Sequence, residues 1–507
     1  MKQKEFDYVI IGAGSAGCAL ARRLSDFTNS RILVLEAGGN DSRPEIHDPS
    51  LWSDLLGTEV DWGYETIRQP HAKDRVFEWP RGRVLGGSSS LNGMVYIQGD
   101  PLDFDSWAFT GSDGWSNAEV RECFRAMEGR DSRSRQDVPR GDLLSPSTIA
   151  RRSPMSQVFI DACVEIGIPF NRDLNEGSLV GAGWNELCIF EGKRQSSYRA
   201  FLQPIIESSN VQVETNSVVH KIEINSKGVI ESITYYQNGK ASTVSIAGEV
   251  ILSAGAVDSA RLLLLSGIGP AQELERIGIK TQINSPEVGK NLVDHMLIGV
   301  AYAASREIVD YNKLITENCA FVKSNPKVLG SDIEISFVRS AIFVGSQDIP
   351  ENSFTLVPGI CRPQSKGSIV LASSDPSASP LIDPNYLSED VDVQALVRGI
   401  EISREIGSSR AFRSWIHEEL SPGPRVQDQK AIREYVRAVA TTWFHPVGTC
   451  RMGKDSNSVV TPDLKVRGTK NLRVADASIM PSIVSCNTNP ASMMIGWKAG
   501  NLIADAL

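Results

Sequence analysis

The strongest candidate for acid–base chemistry is His445, one of six histidines in 507 residues. It lies in the stretch TTWFHPVGTC, residues 441–450, directly after Trp443 and Phe444 and before a proline. The ordinary pKa of histidine is close to neutral pH, so its ring can accept a proton from a substrate. A lone histidine is more often a hydrogen-bonded core residue. Here a polar loop and a helix start, SCNTNP at residues 485–490, offer the rest of a site, which favours the catalytic interpretation.

A second chemical signal is the glycine pattern near the N-terminus, in YVIIGAGSAGCALARRLSDFTNSRILVLEAGG. The pattern predicts an apolar strand from Tyr8 to Ile11, a turn with three glycines, a helix to about Leu24 and a second strand that ends at Glu36. A strand, a turn and a helix in this order are typical of a dinucleotide-binding unit.

Each residue type in this unit has a physical role. Gly12 permits the tight turn, Gly14 lets the backbone approach a pyrophosphate, and Gly17 lets the helix pack closely against the strand. The start of the helix offers unpaired N–H groups to the phosphates. Glu36 follows Gly17 by 19 residues, where a carboxylate can accept hydrogen bonds from ribose hydroxyls. The unit by itself does not decide between FAD and NAD.

Two further glycine turns could face a ligand. The pentapeptide GGSSS, residues 86–90, offers backbone and hydroxyl groups to a polar ligand, although on its own it would be interpreted as a surface turn. Farther along, a strand from Val250 to Leu252 leads into a glycine-containing turn and a helix that is expected to end near Gly267. Because it follows a strand, this turn could also face the cofactor.

Composition and charge narrow the function classes. A chain of this length favours two domains over one core. Its net charge of −9 argues against a nucleic-acid partner, which needs a clustered positive surface. No apolar run reaches the ~18 residues of a membrane span, no signal peptide precedes the first strand, and the eight cysteines lack metal-ligand spacing. We therefore expect a cytoplasmic protein with no metal, nucleic-acid or membrane partner; the oligomeric state is not indicated.

The elements between these residues must position them. Residues 128–154 are polar and rich in arginine and proline, which predicts an exposed connection and a candidate domain boundary. Residues 297–440 alternate short strand-like runs with proline-rich turns and predict an antiparallel sheet carrying a helix or two. Near the C-terminus a strand runs into Asp476. Asn489 is then expected to cap the last helix, with Pro490 at its first position.

Six motifs, in this order, resemble those of the glucose-methanol-choline (GMC) oxidoreductase family. They are the N-terminal glycine unit, GRVLGGSSSLNGMVY, GAVDSARLLLLSGIG, VGKNLVDH, HPVGTCRMG and RVADASIMP. The resemblance extends from about residue 6 to the C-terminus and includes the central SSDPSASPLIDPNYL. In one departure, Ala260 stands where the family commonly has Ser or Pro, at a packing position.

The resemblance implies an α/β fold in which a discontinuous, Rossmann-like FAD-binding domain carries an inserted substrate domain built on an antiparallel sheet plus helices. The FAD-binding domain is expected to comprise residues 1–150, 195–296 and 441–507. The substrate domain is expected to comprise residues 151–194 and 297–440.

The same resemblance makes FAD the expected cofactor. The three glycines of the first turn are expected at the pyrophosphate, Glu36 at the adenosine ribose, and the backbone of Val219 at the adenine. Leu91 stands where some members attach FAD through a histidine, so the cofactor is expected to be noncovalent. Gly87, Ser88 and Asn92 are expected along the flavin, and Asp476 and Ala477 near its ribityl and pyrimidine end. The other residues of the expected FAD site are Ser15, Ala16, Ala37, Gly93, Met94 and Asn487.

For catalysis, the resemblance equates His445 with the family's catalytic histidine and Asn487 with a position that carries His or Asn. Hydride leaves an alcohol carbon easily only as the hydroxyl proton is lost, so a base should contact that oxygen. Asn487 can donate a hydrogen bond to the developing negative oxygen. Trp443, Phe444 and His445 are expected to line the substrate cavity, which suits a flat or apolar substrate. His295, in VGKNLVDH, is interpreted as structural.

These inferences lead to a hypothesis of FAD-dependent oxidation of a primary alcohol to an aldehyde. The alcohol is expected to be aromatic or heteroaromatic, for example pyridoxine-like, with hydride passing to flavin N5 and molecular oxygen reduced to hydrogen peroxide. A dehydrogenase that uses a quinone or another acceptor is the alternative within redox chemistry. A flavin-containing lyase is the alternative from another class.

Overall fold

The computed structural model describes residues 5–129, 143–237, 239–342 and 349–506. Two large sheets, of seven and eight strands, organise these residues. Of the connection expected over residues 128–154, residues 130–142 lie outside the described residues. Among the helices in the described part of the chain, none is long and apolar enough to cross a lipid bilayer.

The seven-stranded sheet is built around the first strand, Glu5–Ile11. This strand pairs in parallel with Ile32–Leu35 on one side and with the second half of Lys240–Leu252 on the other. Residues 8–11 are all buried, as expected for a central strand of a parallel sheet. The seven strands are Glu5–Ile11, Ile32–Leu35, Val211–Glu214, Ser217–Ile224, Ile230–Gln237, Lys240–Leu252 and Leu472–Val474.

The first helix, Ser15–Phe27, packs against the last helix, Thr488–Ala504. The approach is so close that a Cβ atom on Gly496 would lie 2.0 Å from the carbonyl oxygen of Ala16. Only a residue without a side chain fits there. The Ser15 hydroxyl donates a hydrogen bond to the side-chain oxygen of Asn489 at 2.7 Å, which brings the N-termini of the two helices together.

The eight-stranded sheet is antiparallel and takes its strands from residues 181–184 and 296–442. Its strands are Gly181–Trp184, Met296–Leu297, Val300–Ala304, Asn318–Val322, Ile333–Val338, Ser353–Ile360, Ile416–Ser421 and Thr441–Thr442. The long helix Asp390–Gly407 packs on it, and a Cβ on Gly399 would lie 2.6 Å from Cβ of Pro358.

The two faces of this sheet have different environments. In the strand Ile333–Val338, Ile333, Ile335 and Phe337 join the hydrophobic core that includes helix Asp390–Gly407. The alternate residues of the strand line a large cavity on the opposite face. The sheet therefore closes a core with one face and shapes a binding site with the other.

Shorter elements complete the fold. The other helices of four or more residues in the described part are Pro44–His47, Pro49–Leu55, Gly87–Ser90, Pro101–Phe109, Asn117–Met127, Pro154–Glu165, Tyr198–Leu202, Gly255–Leu265, Ala271–Arg276 and Gln429–Val439. Two-stranded pairs join Tyr64–Glu65 with Glu78–Trp79, Val95–Tyr96 with Glu186–Leu187, Ile189–Phe190 with Lys193–Arg194, Ile268–Gly269 with Ile283–Asn284, and Ser368–Val370 with Leu381–Asp383.

The observed sheets confirm the predicted fold class, and one predicted helix start is wrong. The last helix begins at Thr488 with Asn487 in the capping position, whereas the sequence pattern predicts a cap at Asn489. The side chain of Asn489 instead accepts a hydrogen bond from the Ser15 hydroxyl at 2.7 Å, so it is not available as a cap. The domain boundaries stay predictions. The strand Thr441–Thr442 belongs to the eight-stranded sheet although it follows the predicted boundary at 440.

The contact between the first and last helices gives a stability prediction. We expect Gly496→Ala to lower the apparent unfolding temperature, because the new methyl group must push the helices apart, and such overpacking typically costs about 1–3 kcal/mol. Gly39→Ala is the matched control, since its Cβ would meet only Oδ1 of Asn216, at 3.8 Å. Thermal unfolding followed by circular dichroism measures both variants. Equal unfolding temperatures for the two would contradict the close contact.

Candidate active site

One elongated cavity of about 850 Å³ connects the two sheets. It runs from the end of the second strand, past the glycine turns, to the TTWFHP segment and the start of the last helix. The sequence-predicted residues that line it are Gly12, Gly14, Ser15, Ala16, Glu36, Ala37, Gly87, Ser88, Asn92, Gly93, Met94, Val219, Trp443, Phe444, His445, Asp476, Ala477 and Asn487. Gly17 does not line the cavity. A Cβ on Gly17 would lie 1.9 Å from the Gly12 carbonyl oxygen, so its role is close packing.

The glycine turns form a narrow cradle for a dinucleotide. A Cβ on Gly87 would lie 2.7 Å from the Cα of Gly14, so the two turns approach each other through glycines alone. The helix that starts at Ser15 has no side-chain cap and no acidic residue in its first turn. Its N–H groups and positive dipole end therefore suit a pyrophosphate. The donors and the shape of this cradle fit FAD.

Glu36 closes the far end of the cradle. Its two carboxylate oxygens accept hydrogen bonds from the backbone N–H groups of Ala13, at 2.9 Å, and Gly38, at 2.8 Å. Burial raises the pKa of Glu36 to about 7, and these two hydrogen bonds oppose the shift. Each oxygen keeps a lone pair, so the carboxylate can still accept from a ribose hydroxyl.

An arginine that the sequence analysis did not single out holds the GGSSSLNGM loop. Arg194 is buried, and its guanidinium donates to the carbonyl oxygens of Ile46, Ser89 and Asn92 at 2.8, 3.3 and 2.6 Å. It also donates to the side-chain oxygen of Asn92 at 3.0 Å. Burial lowers the pKa of Arg194 to about 9. Arg194 comes from a different part of the chain in an unremarkable context, so no local signal identifies it.

Asp476 organises the opposite wall of the cavity. Its carboxylate accepts hydrogen bonds from the Ser259 hydroxyl at 2.5 Å and from the backbone N–H groups of Gly255, at 2.9 Å, and Ser478, at 2.8 Å. These bonds tie the start of helix Gly255–Leu265 to the C-terminal strand. The turns that follow the parallel strands Lys240–Leu252 and Leu472–Val474 therefore meet at the cofactor end of the cavity.

The structure brings His445 and Asn487 together at the other end. The side-chain nitrogen of Asn487 lies 3.5 Å from Nε2 of His445, at the limit of hydrogen-bond distance. Oδ1 of Asn487 is buried and has no hydrogen-bond partner among the described residues. Both groups line the cavity, so a ligand between them can use the base and the amide at once.

The backbone around His445 is held by a buried carboxylate. Asp294 accepts the backbone N–H of His445 at 2.7 Å, the Thr442 hydroxyl at 2.5 Å and the Tyr386 hydroxyl. Phe444 has a φ of 62°, an unusual conformation for a bulky residue. These three hydrogen bonds stabilise the strained turn that directs the His445 ring into the cavity.

His295 is more than the structural residue that the sequence suggests. Its Nδ1 lies 3.0 Å from Nδ1 of His445, and its Nε2 lies 3.0 Å from the carbonyl oxygen of Cys361. A carbonyl oxygen only accepts, so the Nε2 of His295 must carry the proton and its Nδ1 must accept. The Nδ1 of His445 is then the donor. This chain of hydrogen bonds leaves the Nε2 of His445 unprotonated and facing Asn487.

The two histidines are neutral at physiological pH. The pKa of His445 is well below its usual value because of burial first, then the proximity of His295 and of Arg81. Burial lowers the pKa of His295 to about 4. Because a lowered pKa keeps imidazole uncharged as the pH falls, His445 is available as a base across the neutral range.

Comparisons with known proteins identify related sequences and a related structure. Two family profiles, both described as GMC oxidoreductase, match residues 6–297 and 363–496. An alcohol dehydrogenase [acceptor] of Pseudomonas putida is 38% identical over 98% of this chain and 95% of its own length. The mitochondrial choline dehydrogenase of Mus musculus is 36% identical over 98% of this chain and 89% of its own. The crystal structure of pyridoxine 4-oxidase from Mesorbium loti superposes with a TM-score of 0.92 at 31% identity, covering 98% of both chains.

The dinucleotide cradle and these relatives together define an FAD-dependent oxidoreductase that acts on CH–OH groups. More specifically, the chain belongs to the GMC oxidoreductase family.

The histidine pair gives a prediction about proton transfer. His295→Leu removes the acceptor for the Nδ1–H of His445, and a buried donor without a partner costs about 1–3 kcal/mol. We expect flavin reduction to slow by roughly 5- to 150-fold. His295→Gln keeps an acceptor oxygen and should lose less.

The measurement is the anaerobic stopped-flow rate of flavin bleaching. The substrate is whichever of pyridoxine, benzyl alcohol, 5-hydroxymethylfurfural and choline reduces the wild-type enzyme fastest. If His295→Leu reduced its flavin at the wild-type rate, the tautomer assignment would be wrong.

Proposed function

We propose that this protein oxidises a primary alcohol with an aromatic or heteroaromatic ring to the aldehyde and that molecular oxygen is then reduced to hydrogen peroxide. The observation that carries the proposal is the hydrogen-bond chain from Cys361 through His295 to His445, which leaves Nε2 of His445 as an acceptor facing the cavity beside Asn487. When bound, FAD supplies the hydride acceptor.

The residues of the chain handle the proton and the oxygen. Nε2 of His445 accepts the hydroxyl proton, and the amide of Asn487 donates a hydrogen bond to the oxygen as negative charge develops on it. That charge lies next to the imidazole and raises its pKa as the proton moves. His295 keeps the ring in the tautomer and orientation that this transfer needs.

The wall around these groups supports a flat, apolar substrate. Leu297, Val338 and Val357 form a small hydrophobic cluster, and the partly buried ring of Trp443 packs against it. The Trp443 ring is nearly parallel to the His445 ring, at 22°, with 6.0 Å between ring centres. A substrate ring that packs beside Trp443 would bring its hydroxymethyl group toward the base.

Two relatives bear on the electron acceptor. The similarity to pyridoxine 4-oxidase supports both a heteroaromatic alcohol and oxygen. The Pseudomonas putida relative, an alcohol dehydrogenase [acceptor], supports a second candidate in which a quinone or another acceptor replaces oxygen.

Anaerobic titration followed by oxygenation tests the proposal. We expect at least one ring-bearing alcohol among pyridoxine, benzyl alcohol and 5-hydroxymethylfurfural to bleach the flavin band near ~450 nm. Rapid recovery of the colour in air, with peroxide formation, would support the oxidase. Slow recovery in air with fast recovery on adding a quinone would favour the dehydrogenase, and no bleaching by any alcohol would contradict both.

The role of His445 can be tested separately. His445→Ala should slow flavin reduction by roughly 10²- to 10⁴-fold, the usual contribution of a general base. FAD should remain bound, because the cradle lies at the other end of the cavity. His417→Ala, which alters an exposed histidine, is the matched control and should match the wild type. A near-normal rate in His445→Ala would remove this residue from the mechanism.

A further inference from the structure

Glu334 is a carboxyl group that the proposed reaction does not use. It lies in the strand Ile333–Val338, on the face that lines the cavity, together with Ser336 and Val338. The residue is buried, with 3% of its surface exposed, and it nevertheless contributes to the cavity wall. A glutamate in such a place is unusual because glutamate is rarely buried without a charged partner.

Few neighbouring groups balance the negative charge of Glu334. The Ser336 hydroxyl donates to Oε1 at 2.9 Å. Among the described residues, no lysine, arginine or histidine forms an ion pair with Glu334. The nearby arginine in sequence, Arg339, is paired with Asp310 and Glu317 instead. An isolated charge in such a wall is unfavourable unless a bound group compensates it.

Glu334 lies close to the catalytic end. Its partner across the strand pair is Gly359. A Cβ on Gly359 would lie 2.2 Å from the Trp443 ring, so the indole lies directly on the backbone next to Glu334. The Trp443 ring also neighbours the His445 ring, with 6.0 Å between ring centres. A substrate that packs beside this indole therefore has the base at one end and a carboxyl group along its path.

We propose that Glu334 binds a basic nitrogen of the substrate, an amine or a pyridine-type ring nitrogen, and so makes the enzyme selective for primary alcohols that carry one. This inference rests on the proposed function and narrows its substrate class. A carboxyl group and a basic nitrogen share one proton in a single N–H–O hydrogen bond, whichever partner carries it. Burial raises the pKa of Glu334 to about 7, above that of a pyridine nitrogen and below that of an alkylamine, so a pair with either group has one proton to share.

The test compares alcohols of one shape that differ in the nitrogen. Benzyl alcohol is set against 2-, 3- and 4-(hydroxymethyl)pyridine and 4-(aminomethyl)benzyl alcohol, with the FAD-loaded enzyme. We expect the wild type to prefer at least one nitrogen-bearing alcohol by about 10- to 100-fold in kcat/KM, the range of a hydrogen bond to a charged group. Glu334→Gln, which keeps the shape, should abolish the preference mainly by raising KM for that alcohol.

Two comparisons separate this role from a structural one. Ser336→Ala removes the hydroxyl that donates to Glu334 and keeps the carboxylate, so the nitrogen preference should persist. An unfolding temperature of Glu334→Gln equal to that of the wild type would show that the variant is folded. If Glu334→Gln changed kcat/KM equally for benzyl alcohol and the nitrogen-bearing alcohols, Glu334 would have only a structural role.

The result also separates this inference from the proposed function. Wild-type oxidation of benzyl alcohol with no preference for any nitrogen-bearing analogue would overturn the role of Glu334 alone. Failure of every alcohol to reduce the flavin would overturn the proposed function.

Discussion

The buried carboxylate of Asp294 is the group on which the His445 end of the cavity depends. It accepts three hydrogen bonds, from the backbone of His445 and from the hydroxyls of Thr442 and Tyr386. Loss of any one donor would strongly destabilise the buried carboxylate. The arrangement that keeps all three donors bonded to it is therefore favoured. The turn at Phe444, with its positive φ, persists because its two ends are fixed in this way. The direction of the His445 ring is therefore set by a carboxylate that is not itself among the described residues lining the cavity.

The same region of the fold brings the two histidines together. The strands Met296–Leu297 and Thr441–Thr442 are antiparallel neighbours, with Met296 opposite Thr442. His295 directly precedes one strand, and His445 follows the other by three residues. Their Nδ1 atoms, 3.0 Å apart, can share only one proton, because two protons would repel and none would leave two lone pairs facing each other. The short strand pair brings the two rings together, and the Cys361 carbonyl oxygen then determines which nitrogen of His445 is free.

Features that depend on a short, local sequence pattern can be predicted well from the sequence. Gly12, Gly14 and Glu36 belong to one strand–turn–helix–strand unit, and their spacing alone implies the cradle that the structure shows. Arg194 and the contact of His295 with His445 depend on pairing between segments far apart in the chain, which no local periodicity records. The prediction that Asn489 caps the last helix is wrong for the same reason, because its side chain bonds to Ser15, which is far away in the chain.

The side chains of the strand Ile333–Val338 point alternately to the core and to the cavity. This alternation explains why a charged residue can remain in the wall of the cavity. Ile333, Ile335 and Phe337 secure the strand in the core, so its stability does not depend on the residues between them. The positions of Glu334 and Ser336 on the opposite face are therefore available for binding, even though an uncompensated buried carboxyl is unfavourable for folding. Because the backbone beneath is rigid, a group on this face is held at a defined place relative to the base. Selectivity for the substrate can then change with a single side chain, while the histidine pair and the dinucleotide cradle stay the same.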